Sequence, residues 1–147
     1  MKILVLFDGS DDGLEGVRTA ATMLQATGER HEMTMALVGW PPRRSPIWER
    51  ALSSHVVLDD LHRAMAEVAA AEFQRLRAIL GPLGSLEAQY LDGDPVTEIT
   101  TCIDRLKPQL VLAGLTRGID AESVAATAFN VVRRSKVPIL LAYGSVV

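Results

Sequence analysis

The sequence predicts an α/β protein with a five-stranded, doubly wound parallel sheet and helices on both faces. Short apolar runs alternate along the chain with longer segments of helical period, which is the order of elements that a parallel sheet with crossover helices requires. With 147 residues and 48% hydrophobic composition, the chain can build one sizeable core. We therefore expect residues 1–147 to form a single domain.

The first predicted unit is a strand followed by a helix. Ile3–Phe7 is an unbroken apolar run, which is typical of a strand buried on both faces. Asp8–Ser10 reads as a turn, after which Asp11 or Asp12 is expected to cap a helix that ends near Gly28.

The second unit contains a long connection. Met33–Val38 is predicted to be a strand, and Gly39–Pro46 follows with three prolines that exclude a regular helix. This stretch is a candidate functional loop. A long helix is predicted from about Leu58 to Leu80, and Glu72 interrupts its apolar face, so we expect a solvated edge there. Leu86–Leu91 is the third predicted strand.

The last part of the chain supplies two more strands. Asp94 is expected to cap a third helix, with Pro95 at its first position and Pro108 beyond its end. Leu110–Ala113 is predicted to be the fourth strand and Val137–Tyr143 the fifth, with a loop and a helix between them. The fifth strand should form an edge of the sheet, and pairing with a second copy would cover it, so we expect a homodimer through strand 137–143.

Bulk properties exclude several classes of function. Fifteen Lys and Arg against eighteen Asp and Glu give a formal charge of −3 with no long basic block, which argues against nucleic acid as a partner. The apolar runs are too short to cross a membrane, and the amino terminus does not resemble a signal peptide. Cys102, the single cysteine, allows neither an internal disulfide nor a cysteine metal cluster. A cytoplasmic protein is the expectation.

Chemistry-bearing residues do not assemble into a catalytic motif. The three histidines, His31, His55 and His62, lack metal-ligand spacing and are predicted to be solvated. Cys102 is expected to be a partly buried structural thiol. A phospho-acceptor receiver domain needs a lysine after the fifth strand, whereas Lys136 precedes it. We expect no enzyme, no metal site and no catalytic residue.

A ligand site is nevertheless expected at one end of the sheet. In doubly wound sheets, ligands bind beyond the carboxyl ends of the strands, where the strand order reverses. The segments that reach this end are Asp8–Ser10, Gly39–Pro46 and Gly114–Ser123. Any small-molecule pocket should be made from these segments.

Four stretches together resemble the universal stress protein family: ILVLFDGSDDGLEGVRTAATML at the start, the segment Gly93–Ile103, the run LVLAG, and VVRRSKVPILLA near the end. The similarity spans nearly the whole chain in the right order. It implies a Rossmann-like fold of the adenine nucleotide alpha hydrolase-like type, usually a homodimer, that is induced under stress. Some branches of the family bind ATP and others do not.

The resemblance also implies a nucleotide pocket. Asp8 matches the aspartate that contacts the nucleoside, and Gly114 matches the first glycine of a Gly-x-x-Gly loop. The second glycine falls on Arg117, or on Gly118 with one inserted residue. The later Gly-Ser/Thr pair falls on Ala125 and Ala126, with Thr127 one position late. The pocket positions that the resemblance implies are therefore Asp8, Gly114, Arg117, Gly118, Ala126 and Thr127.

The same loop departs from what a triphosphate needs. Asp120 and Glu122 stand at the expected helix start, where they offer negative charge to the N–H groups that a phosphate would use. Ala125 and Ala126 replace a glycine and a hydroxyl donor. The leading interpretation is a non-enzymatic stress-response factor that acts as a homodimer through protein association, with a degraded nucleotide pocket. The alternative is an ATP- or AMP-binding regulatory switch with slow ATP hydrolysis, and a third option is a pocket for another small anion or a lipid-like ligand.

Overall fold

A computed structural model describes residues 1–7, 9–38, 58–91, 95–114, 130–131 and 134–142. In these ranges five strands form one sheet in the order β3-β2-β1-β4-β5, and every neighbouring pair is parallel. The strands are β1 Lys2–Phe7, β2 His31–Val38, β3 Gly84–Leu91, β4 Leu110–Gly114 and β5 Ile139–Ala142. The predicted parallel α/β fold is confirmed.

Three helices have described bounds, and each follows the strand that the sequence places before it. They are α1 Asp11–Gln25, α2 Leu58–Leu80 and α3 Pro95–Leu106, with a short 3₁₀ turn at Gly81–Leu83 after α2. Among the described residues, no helix has the length and apolar character needed to cross a membrane.

The core lies on both faces of the sheet because successive residues of a strand point to opposite sides. Ile3, Val5 and Phe7 of β1 pack against α1 and α2, whereas Leu4 and Leu6 pack towards α3. All five are buried. The central strand is therefore covered on both sides, as its unbroken apolar sequence predicts.

Strand bounds shift by a few residues from the predictions. β2 and β3 each begin two residues earlier than expected, and the two strands pair from His31 opposite Gly84 onwards. β5 is described over Ile139–Ala142, and it forms one edge of the sheet, as predicted, while β3 forms the other. Strand ends are set by the neighbouring strand, which hydrophobic patterning alone does not reveal.

The cap of α1 differs from the prediction. Ser10, not Asp11 or Asp12, is the N-cap, and its Oγ accepts a hydrogen bond from the Gly13 N–H at 2.9 Å. The two aspartates instead occupy the first turn of the helix. A short hydroxyl side chain with extended backbone satisfies the free N–H, and the carboxylates then complement the helix dipole.

Two polar residues predicted to be solvated are buried. His31 is 2% exposed, because β2 begins at this residue, and its Nε2 lies 3.4 Å from Thr27 Oγ1. Glu72 is also 2% exposed, and it pairs with Arg75 one turn later in α2. The expectation of a solvated edge at Glu72 was wrong, since a paired carboxylate can be accommodated at a buried position.

Candidate functional site

The strand order reverses between β1 and β4. From β1 the chain builds outwards through β2 to β3, then returns to place β4 on the other side of β1 and β5 beyond it. Phe7 is paired with Gly114 at the carboxyl ends of these two strands. In open α/β sheets this position forms the crevice in which ligands bind.

Gly114 brings α1 close to β4 at this point. A Cβ at position 114 would lie 2.7 Å from the Gly13 carbonyl oxygen and 2.7 Å from Val17 Cγ2. Both neighbours belong to α1, and Gly13 is in its first turn. Only a residue without a side chain permits this approach. Gly114 therefore has a packing role beside any contact with a ligand.

The amino terminus of α1 is already neutralised. Ser10 is buried. Its Oγ accepts a hydrogen bond from the Gly13 N–H, and its carbonyl oxygen accepts one from the Leu14 N–H at 3.0 Å. Asp11 and Asp12 add two carboxylates to the first turn, at the positive end of the helix dipole. This terminus is a poor place for an additional anion.

An ion-pair network ties the start of α1 to α2. Arg75 Nη1 donates to both carboxylate oxygens of Glu72 at 3.0 and 3.2 Å, and Arg75 Nη2 donates to Asp11 Oδ1 at 3.0 Å. The Glu72 side chain is 3% exposed, that of Arg75 39% and that of Asp11 87%. The buried carboxylate therefore fixes the guanidinium beside the first turn of α1.

Most of the pocket residues that the resemblance implies lie outside the described residues. Gly114 is described, and it lies at the carboxyl end of β4, the end of the sheet where the ligand site is expected. Asp8 directly follows Phe7 in the sequence, but its placement is not described. The other predictions that fall outside the described residues concern the loop Gly39–Pro46, the cap Asp94, the side chains of His55 and His62, and Arg117, Gly118, Asp120, Glu122, Ala125, Ala126 and Thr127.

Sequence reasoning did not identify the polar contacts that fix the first turn of α1, which involve Ser10, Glu72 and Arg75. Ser10 followed by two acidic residues is an N-cap signal, although the same residue also suits the turn that was assigned to it. Glu72 and Arg75 have the i,i+3 spacing of a helical ion pair, so the sequence contains a signal for that pair. The sequence contains no comparable signal for the hydrogen bond from Arg75 to Asp11, because these two residues are 64 positions apart along the chain.

Cys102 occupies a separate place on α3. It is 2% exposed, its Sγ lies 3.6 Å from Gln89 Oε1, and Arg105 Nη2 donates to the same oxygen at 2.6 Å. Burial raises the pKa of the Cys102 thiol, and the hydrogen bond from Arg105 partly opposes this effect. The sequence predicts a partly buried thiol, whereas the structure buries Cys102 almost completely. Within the described ranges, no group of three or more His, Cys, Asp and Glu side chains is placed to hold a metal ion.

Comparison with known proteins identifies relatives of this fold. A sequence model of the universal stress protein family matches residues 1–142. A crystal structure of a universal stress protein in complex with cAMP is 21% identical, with a TM-score of 0.61, and the match covers 99% of this chain and 98% of that one. No curated protein sequence matches significantly.

Two further solved structures come from an archaeon and a plant. The universal stress protein of Archaeoglobus fulgidus in complex with dAMP is 18% identical, with a TM-score of 0.54 and 97% of each chain covered. A family protein of Arabidopsis thaliana with AMP bound is 15% identical, with a TM-score of 0.66, and the match covers 96% of this chain and 90% of that one. At these identities the solved structures support the fold, and the family match spans nearly the whole sequence. The chain belongs to the universal stress protein family.

Proposed function

We propose that this universal stress protein is a non-enzymatic factor that binds an adenine nucleoside monophosphate at the crevice between β1 and β4 and acts through protein association. The reversal of strand order at Phe7 and Gly114 carries this proposal, because ligands bind at such a reversal in open α/β sheets. Asp8 directly follows Phe7 in the sequence. The site would hold adenosine and one phosphate, and would bind ATP weakly.

The choice of ligand rests on relatives of the same fold. Three of them were crystallised with cAMP, dAMP and AMP, each of which has one phosphate group. In this chain Asp8 stands directly after β1, where it would contact the nucleoside. A carboxylate there would accept hydrogen bonds from hydroxyl groups of a sugar.

Electrostatics favour one phosphate over three. Asp11 and Asp12 place two carboxylates in the first turn of α1, and the side chain of Asp11 is 87% exposed. Along the sequence, the loop after β4 adds Asp120 and Glu122. Each further phosphate brings negative charge towards these carboxylates, and each missing charge-assisted hydrogen bond costs about 1.5–3 kcal/mol.

Isothermal titration calorimetry with AMP, ADP and ATP tests this proposal. We expect AMP to bind about tenfold or more tightly than ATP, which corresponds to a difference of about 1.4 kcal/mol. Asp8→Ala should abolish AMP binding, whereas Asp104→Ala, which removes an exposed carboxylate from α3, should leave it unchanged. ATP binding that is tighter than AMP binding would instead support the regulatory switch, with Gly114, Arg117 and Gly118 holding phosphate.

A further inference from the structure

The end of the sheet opposite the crevice carries a cluster of basic residues. Lys2, Arg30 and Lys107 line one surface hollow of about 490 Å³, together with Glu32 and Gln109. Lys2 begins β1, Arg30 directly precedes β2, and Lys107 lies in the connection between α3 and β4. All three residues therefore lie at the amino-terminal end of the sheet. All three are exposed. We call this group of three cations the amino-end patch.

The charges of the amino-end patch are not used within the described structure. In the part of the chain that is described, no carboxylate forms an ion pair with Lys2, Arg30 or Lys107. Glu32 is the acidic residue that lines the hollow, and it pairs in register with Lys2 across β1 and β2. Three basic side chains and the ammonium group of Met1, which donates to the Arg30 carbonyl at 3.3 Å, face one carboxylate in this hollow. The hollow is therefore positive on a chain whose formal charge is −3.

Lys107 is held in an unfavourable backbone conformation. Its φ is +49°, and it is the one non-glycine residue with positive φ among those described. This position follows the last turn of α3, where its N–H bonds to the Ile103 carbonyl at 2.8 Å, and glycine is the usual residue at such a helix end. Strained conformations of this kind cluster at functional sites. A lysine here also complements the helix dipole, so its two roles need to be separated by experiment.

We infer that the amino-end patch binds an acidic peptide segment of a partner protein. The hollow is open and its charged side chains are exposed. Such a surface suits a peptide with several carboxylates better than a small anion, which would need an enclosed pocket. Three cations are too few for the run of phosphates that a nucleic acid presents. A neighbouring hollow is lined by Lys2 together with the two carboxylates of Glu32 and Glu87. Because these carboxylates would repel an acidic peptide, we expect the acidic residues of the peptide to end at the patch and to be followed by neutral or basic residues. This inference does not depend on nucleotide binding at the opposite end of the sheet.

Fluorescence anisotropy with a fluorescein-labelled peptide of Glu-Glu-Gly repeats tests the inference. We expect saturable binding that weakens as sodium chloride screens the charges, and no binding of the same peptide with glutamine in place of glutamate. The triple variant Lys2→Gln, Arg30→Gln, Lys107→Gly should bind about tenfold more weakly, since each exposed ion contact contributes a few-fold. Equal binding of the glutamine peptide, or displacement by inorganic phosphate at matched ionic strength, would overturn the inference. Tighter binding of a single-stranded RNA oligonucleotide would overturn it as well.

Two controls separate a specific surface from net charge and from stability. The triple variant Arg18→Gln, Arg77→Gln, Lys136→Gln removes the same number of exposed cations elsewhere, and it should retain peptide binding. Lys107→Gly alone should keep or raise the unfolding midpoint, because glycine accepts positive φ without strain, and it should still weaken peptide binding. Equal loss in both triple variants, or unchanged binding by Lys107→Gly, would contradict the inference.

Discussion

At the scale of single residues, Gly114 links packing to the candidate site. Gly114→Ala would place a methyl group 2.7 Å from the Gly13 carbonyl oxygen and from Val17 Cγ2, so α1 must move away from β4. We expect a loss of about 1–3 kcal/mol in the free energy of unfolding, as is typical of overpacking. Urea denaturation measures this loss.

Gly81→Ala is the matched control for that substitution. A Cβ at Gly81 would meet no heavy atom within 4 Å, so we expect a change within about 0.5 kcal/mol. Equal effects of the two alanines would show that the close approach of α1 at Gly114 does not limit stability.

Residue-scale patterns predict the site only in part. An apolar run that ends in glycine marks the end of a buried strand, and the structure confirms Gly114 at the carboxyl end of β4. The same pattern does not show that α1 is the spatial neighbour of this glycine. Gly13 and Gly114 are far apart along the chain, and their contact depends on how the whole sheet is assembled.

At the scale of elements, the ion pair between Glu72 and Arg75 joins α2 to α1. Arg75→Met would remove the guanidinium that pairs with the buried Glu72 carboxylate, and we expect it to lower the free energy of unfolding by about 2–4 kcal/mol. The double variant Glu72→Leu, Arg75→Met should recover part of this loss, because it removes the buried charge as well. Chemical denaturation of the three proteins measures the effect.

An exposed ion pair on α1 provides the control. Arg18 and Glu15 are also spaced i,i+3, but their side chains are 57% and 53% exposed. Arg18→Met should therefore change stability by no more than about 0.5 kcal/mol. If Arg75→Met were equally mild, Glu72 would not depend on the guanidinium for its burial.

The elements themselves are largely predictable from the sequence. Buried parallel strands are continuous apolar runs, and the period of α2 indicates its whole length from Leu58 to Leu80. The errors fall on polar residues, Ser10, His31 and Glu72, whose environment is set by contacts with other parts of the chain. Hydrophobic periodicity describes which face of an element is apolar, but it does not reveal which polar side chain finds a partner inside.

At the scale of the whole molecule, the sheet separates three surfaces. The crevice lies at the carboxyl ends of β1 and β4, the amino-end patch lies at the opposite end, and β5 forms a lateral edge. Because these surfaces lie apart, a nucleotide, a peptide and a second copy of the chain could bind without competing for the same residues. Each surface can therefore be tested by substitutions that leave the other two unchanged.

The edge strand β5 yields the last prediction, a homodimer formed by pairing of β5 with its copy. The side chains of β5 are half-buried and pack on both faces of the sheet, while its outer backbone edge has no partner strand among the described residues. Unpaired edges are commonly covered in this way.

Analytical ultracentrifugation should give twice the 15.9 kDa chain mass. Leu141→Lys should shift the protein towards monomer, because like charges meet across a two-fold axis. Met23→Lys, at a 61% exposed position on α1, should remain dimeric. Circular dichroism would verify that both variants are folded, and a monomeric wild-type protein at micromolar concentration would contradict the prediction.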